Sequence, residues 1–198
     1  KILSRNSITK LVKKVKKWEE SFSMSESNKE DGIKTIHHYN DGFSWVEIFG
    51  KCSLERESNL MNHCVKSYLK NINKGTVKIY SLRDSNNKPH CTVELRNSRV
   101  KQIRGNSNQP VKNTYAKYVV DFLEHKYARF AETRYEELYS SGIIKIDGKF
   151  YCINDLPDNL DLNCWNIDFR GTKIERLPKN LHVHGNLDLS GTSIEKIP

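Results

Sequence analysis

Residues Asn59–Pro110 read NLMNHCVKSYLKNINKGTVKIYSLRDSNNKPHCTVELRNSRVKQIRGNSNQP, and the hydrophobic period changes within that stretch. Upstream of Gly75 the apolar residues follow a helical spacing, which predicts one helix over Leu54–Ile72 with Leu60, Cys64, Leu69 and Ile72 along a stripe. Ser53 or an adjacent residue is placed to cap it, with Glu55 and Glu57 near its positive end. On such a helix His63 and Cys64 diverge by about 100° and do not form a dyad. Gly75 suits the helix C-terminus. Beyond it the period becomes two. Strands are expected over Thr76–Asp84, Pro89–Arg96 and Arg99–Gly105, joined by short polar turns into an antiparallel meander.

Alternation sorts the faces. Val77, Ile79 and Ser81 oppose Lys78, Tyr80, Leu82 and Asp84, while Thr92, Glu94 and Arg96 oppose Cys91, Val93 and Leu95. In the third strand Val100, Gln102 and Arg104 alternate with Lys101 and Ile103, so Thr92, Glu94, Gln102 and Arg104 are expected on one polar face. His63, Arg83, Glu94, Gln102 and Arg104 are the candidate catalytic set. Imidazole titrates near neutrality, and the others supply charge and hydrogen bonds. The plainer alternatives are a helix histidine bonded to a strand, a buried Cys64 and a structural ion pair among Arg83, Arg104 and Glu94. His63-Cys64 and His90-Cys91 offer zinc-ligand types at a spacing that fits no standard finger. Asp84 with Glu94-Leu95-Arg96 loosely matches a nuclease hairpin, which leaves a divalent ion as the one open metal reading. No other cofactor is expected.

Upstream, Ile8, Leu11, Val12, Val15, Trp18 and Phe22 predict an amphipathic helix with Lys13, Lys14 and Lys17 on its other face. SMSESNKED at Ser23–Asp31 reads as a linker, and Phe43–Phe49 as a strand. Downstream of Asn106–Pro110 a long helix is expected over Lys112–Tyr139, with Ala131 as the place for a break. The last segment repeats itself. LPDNLDLNCWNIDFRGTKIER starts at Leu156, LPKNLHVHGNLDLSGTSIEK at Leu177, and a third Ile-Pro at Ile197. These units are similar to bacterial leucine-rich repeats, a short solenoid. The expected class is therefore α+β: residues 1–31 a basic helix and linker, 32–140 an α+β domain, and 141–198 repeats that lean on it or continue past Pro198.

The chain of 198 residues carries 33 Lys plus Arg against 24 Asp plus Glu, a net charge of +9 that favours a polyanionic partner. Lys13, Lys14, Lys17, Arg99, Lys101 and Lys112 are the candidate phosphate contacts, with Tyr80 or Tyr115 for stacking. Five cysteines without a CxxC pair argue against a disulfide framework or zinc ribbon and for reduced thiols in a cytoplasm. No run is long and apolar enough for a membrane span, and no signal peptide opens the chain. A start at Lys1 and an end inside a repeat suggest a piece of a longer chain.

Leu60-Met61-Asn62-His63-Cys64-Val65 with Tyr68, Ile79-Tyr80-Ser81-Leu82-Arg83-Asp84, Pro89-His90, Thr92-Val93-Glu94, Gln102-Ile103-Arg104-Gly105, Asn108 and Pro110 together resemble the PcfJ-like family of conjugative plasmids and phages. The resemblance covers about Phe43–Glu124. Asn62 departs from it, since the family usually has glycine before His-Cys, which implies a looser approach of the helix there. A role on mobile genetic elements is implied; no reaction is. Three functions follow as expectations. The first is a binding protein whose central module engages nucleic acid or a nucleotide-like ligand and whose repeats dock a protein. The second is an enzyme acting on such a ligand around His63, Arg83 and Glu94. The third is a host-defence antagonist acting by occlusion alone. Oligomeric state is left open.

Overall fold

A computed structural model describes residues 32–97, 99–124, 138–139, 141–146, 148–162 and 166–197. The predicted first helix with Lys13, Lys14 and Lys17, the linker, and residues 125–137 of the predicted long helix all fall outside these.

Five consecutive strands form one antiparallel sheet in the order β1 (Ile33–His38), β2 (Ser44–Ile48), β3 (Val77–Arg83), β4 (Pro89–Arg96) and β5 (Arg99–Arg104). The expected three-stranded meander is thus its second half. IKTIHH of β1 escaped the sequence reading because its alternation is poor and its middle is exposed, as suits an edge strand. The sheet is covered on both sides. Helix α1 (Lys51–Met61) and the turn after it lie over Val46, Ile48, Val77 and Ile79. Helix α3 (Asn113–Glu124) lays Tyr118, Val119, Phe122 and Leu123 on Trp45, Tyr80, Leu82, Cys91, Val93 and Ile103. Trp45 keeps its polar end satisfied by donating Nε1–H to the Tyr118 carbonyl at 3.1 Å. Because both faces are covered, β3 and β4 are buried nearly throughout, polar residues included.

The predicted helix over Leu54–Ile72 is three pieces. Helix α1 stops at Met61, Asn62 turns left-handed at φ 51°, Val65–Tyr68 form a 3-10 turn, and α2 spans Leu69–Asn73. Asparagine is the commonest residue after glycine for such a left-handed end. The break takes His63 and Cys64 off the helix and leaves Leu60 and Cys64 exposed, which undoes the predicted stripe. Ser53 does not cap either: the helix starts after Gly50, and the Ser53 hydroxyl shares its one proton between the carbonyls of Gly50, at 3.0 Å, and Gly32, at 3.2 Å. Gly75 does close α2, with φ 69° and its N–H on the Ile72 carbonyl.

Simple alternation also fails in β5. Leu95 faces Val100 and Glu94 faces Gln102, so Lys101 is the extra residue of a bulge. Val100 therefore joins Ile103 in the core beneath α3, while Gln102 and Arg104 sit across from Glu94 and Thr92.

After α3, strands β6 (Ile143–Ile146) and β7 (Lys149–Cys152) form a hairpin that belongs to two cores. Ile143 and Phe150 join the core under α3, whereas Ile144 and Ile146 pack with Ile153, Leu156, Ile167, Phe169, Ile174 and Leu177. Matching positions of the two sequence copies then pair in parallel. β8 (Asp161–Leu162) lies beside β10 (His182–Val183), and β9 (Asn166–Asp168) beside β11 (Asn186–Asp188). Asn180 donates to its counterpart Asn159 at 2.9 Å, and Arg170 bridges Asp168 and its counterpart Asp188.

Candidate functional site

The left-handed break at Asn62 drops His63 from the end of α1 onto the sheet, against β4. There it meets a buried polar network that starts on the helix. Helix α1 buries Leu54, Glu57, Ser58 and Met61, spacings of one apolar stripe with a glutamate in the middle. Glu57 is fully buried. Its Oε2 accepts from Arg83 Nη2 at 2.9 Å, and its Oε1 accepts from the Thr92 hydroxyl at 2.8 Å. Arg83 also donates to Ser81 Oγ and Asn87 Oδ1. Burial lowers the Arg83 pKa and Glu57 opposes that shift.

Thr92 Oγ1 lies 3.0 Å from His63 Nε2. A hydroxyl has one proton, and Thr92 gives its own to a carboxylate that can only accept. His63 Nε2 must therefore be the donor, which fixes the neutral ring as the Nε2–H tautomer. Nδ1 is left as a bare acceptor, enclosed and with no partner among the described residues. Burial lowers the His63 pKa, with Glu57 pulling the other way. In this arrangement one ring nitrogen is engaged and the other is covered, so neither is presented as a base.

A recess of about 20 Å³ opens beside the ring. His63, Cys64, Val65 and Tyr68 form one wall, Thr92 and Glu94 the floor, and Gln102, Arg104 and Asn108 the far side. That volume admits a water-sized group and no more. Glu94 is also buried, with Arg96 reaching it through Nε at 3.1 Å and Nη2 at 2.9 Å. Burial, with the Glu94 charge beside it, raises the Tyr68 pKa. The rim is tied down across the chain. Asn62 Nδ2 donates to Ser107 Oγ at 3.0 Å, and Asn106 Nδ2 to the Leu60 carbonyl at 3.0 Å. Ser107 and Asn108 are both left-handed, and a side chain on Gly105 would meet the Pro110 carbonyl oxygen at 2.9 Å.

Four of the five candidate catalytic residues, His63, Glu94, Gln102 and Arg104, thus line one recess. Arg83 does not reach it and stands behind Glu57. Arg99 and Lys101 are exposed on the edge strand, and Lys112 is exposed just ahead of α3. Tyr80 cannot stack on a base, being buried against Phe122. Cys64 is exposed at the rim rather than a small core residue. Asp84 pairs with His90 at 2.9 Å and Glu94 with Arg96, and no group of three metal-ligating side chains occurs among the described residues. Glu57 and Thr92 were missed as network members. The signal for Glu57 was a carboxylate on the apolar stripe of α1.

A mixed module of this kind, with a histidine break laid on an antiparallel sheet, carries each motif of the resemblance noted above. The family model of PcfJ-like proteins matches residues 12–119, more than half of the chain, and the chain belongs to that family. No curated protein and no solved structure matches it. No described helix is long and apolar enough to cross a membrane.

Proposed function

We propose that the PcfJ-like module binds nucleic acid, and that the paired C-terminal copies are leucine-rich repeats that dock a protein partner. The reading rests above all on the way both buried carboxylates of the site are neutralised. Glu57 is held by Arg83 and Glu94 by Arg96. The other polar groups of the lining are the amides of Gln102 and Asn108 and the Arg104 guanidinium, whose Nη1 donates to the Ile103 carbonyl at 3.0 Å, with Lys101 exposed in the adjoining bulge. That set suits a phosphate oxygen, in a chain with a net charge of +9. A recess of about 20 Å³ takes a single oxygen-sized group rather than a whole base, so backbone contact is favoured over base readout. The closed ring of His63 supports binding over turnover. Parallel pairing of corresponding positions supports the repeat assignment, since stacked units present such strands as a continuous surface. The reading extends to a phage- or plasmid-encoded protein acting in the bacterial cytoplasm, which the family resemblance and five cysteines without a CxxC pair support.

Fluorescence anisotropy with labelled single- and double-stranded DNA and RNA, repeated across salt concentrations, tests the reading. Binding should weaken steadily as salt rises and fall about tenfold or more in Arg104→Gln, the loss of a charged hydrogen bond. Absence of any salt-sensitive binding would sink it.

A further inference from the structure

A second cleft, separate from the recess, has the size that the first lacks. It measures about 300 Å³ against about 20 Å³ and lies between the first turn of α3 and the hairpin that follows it. The larger value reaches the range of small-molecule sites, which favour such junctions. Its walls are fixed in place. The Gly142 carbonyl accepts from Ile153 N–H at 2.9 Å, Glu124 accepts from Phe150 N–H at 2.8 Å, and Asn154 is tied to the backbone of Lys173 and Glu175. Opposite charges face it from its two sides. Lys117, Thr114 and Asn113 belong to α3, while Asp155 follows the hairpin. Lys117 lies over the Tyr118 ring at 4.6 Å and pairs with Asp41 at 3.5 Å, and that pair is well exposed and weak enough to exchange for a ligand anion. Burial pushes the lining Cys152 thiol up to about 11, so it brings no competing negative charge at neutral pH.

We propose that this cleft binds a purine nucleoside monophosphate, its phosphate on Lys117, Thr114 and Asn113 and a guanine edge on Asp155. One lysine among the described lining residues matches one phosphate rather than a di- or triphosphate. A carboxylate has two acceptor oxygens side by side, and guanine alone among the common bases offers two adjacent donors to meet them. The site goes beyond the nucleic-acid reading of the recess and does not depend on it.

Isothermal titration calorimetry of the full chain with guanosine monophosphate, adenosine monophosphate, guanosine and inorganic phosphate decides the matter. Guanosine monophosphate should bind with at least about tenfold preference over the other three, the scale of one charged hydrogen bond. Lys117→Ala should reduce its affinity about tenfold and leave guanosine unchanged, while Asp155→Asn should abolish the preference over adenosine monophosphate. Both positions are exposed, and circular dichroism melting of each variant establishes that it is folded. The proposal is overturned by the absence of saturable heat with guanosine monophosphate, by equal affinity for inorganic phosphate, or by binding that neither substitution alters. Arg104→Gln should leave this binding intact, which separates failure here from failure of the nucleic-acid reading.

Discussion

Glu57 and Arg83, twenty-six residues apart in sequence, meet at 2.9 Å with side-chain exposures of 0% and 2%. A pair so buried offsets its own desolvation and little more, and breaking it strands a charge. Glu57→Ala should therefore cost about 3–5 kcal/mol of stability, while the paired replacement Glu57→Leu with Arg83→Met should recover much of that loss. Urea denaturation of the single and double variants measures both. Equal destabilisation by the two would mean that Thr92 and the rest of the network, rather than the pair, hold α1 on the sheet.

The pair also shows where the sequence stopped being legible. The strands and their faces were readable because β3 and β4 alternate from Cys91 onward, past the register shift at His90, and Ser81, Thr92, Glu94 and Gln102 fell where period two put them. The bulge at Lys101 was not, since one inserted residue leaves no mark in a run such as RVKQIRG. The helix break was hidden for a related reason. Apolar residues of the 3-10 turn and α2 continue a roughly helical spacing across it, and the turn shows only in the backbone of Asn62. By spacing alone Glu57 is a charge near the helix start, because its partner Arg83 lies in a strand and sequence spacing carries no information about that distance.

His63 gives the network a pH response. Its folded pKa lies below the ordinary histidine value of 6.5 because of burial. The unfolded chain then takes up the proton first, so the folded state loses stability as pH falls below about 6.5, until the folded pKa is passed and the loss levels off. Denaturation midpoints of the parent protein should drop between neutral pH and about pH 5 by more than those of His63→Asn. Parallel curves for the two proteins would show that His63 is not the titrating group.

Lys101 projects from the bulge of an edge strand, where a cation also guards against strand-to-strand association. The two roles separate by salt. If Lys101 touches a phosphate, Lys101→Ala should lower the salt dependence of nucleic-acid binding by about one unit of slope, uniformly across sequences. An unchanged slope with new self-association in ultracentrifugation would assign it to edge protection alone.

At Gly32 the chain passes so near the loop before α1 that an added Cβ would lie 2.2 Å from the Gly50 Cα, in a backbone at φ 71°. Gly32 also accepts from the N–H groups of Phe49 and Gly50 and from Ser53. Gly32→Ala should thus open the junction of β1, β2 and α1 and cost on the order of 3 kcal/mol, combining left-handed strain with the clash. Thermal melting would read it as a clear drop, and a melting temperature equal to the parent's would disprove the close approach.

Asn62 tests why glycine suits this position. The resemblance implied that a side chain here loosens the approach of the helix, yet the structure gives a different reason. The residue is left-handed, at φ 51° and ψ 52°, and its side chain is exposed. Glycine relieves the backbone and asparagine tolerates it, while a larger residue carries the full steric penalty of about 1–2 kcal/mol. Asn62 adds a bond of its own, from Nδ2 to Ser107 Oγ, across the rim of the recess. Asn62→Gly should therefore be near neutral in stability, the backbone gain balancing the lost bond, whereas Asn62→Leu should be destabilising by about 1–2 kcal/mol. The rim gives the second readout. Hydrogen exchange at residues 106–108 should quicken in both variants, because both remove the tie to Ser107, while only Asn62→Leu should also loosen the amide of His63, whose N–H reaches back to the Ser58 carbonyl at 3.2 Å. A glycine variant markedly less stable than the parent would return the explanation to packing.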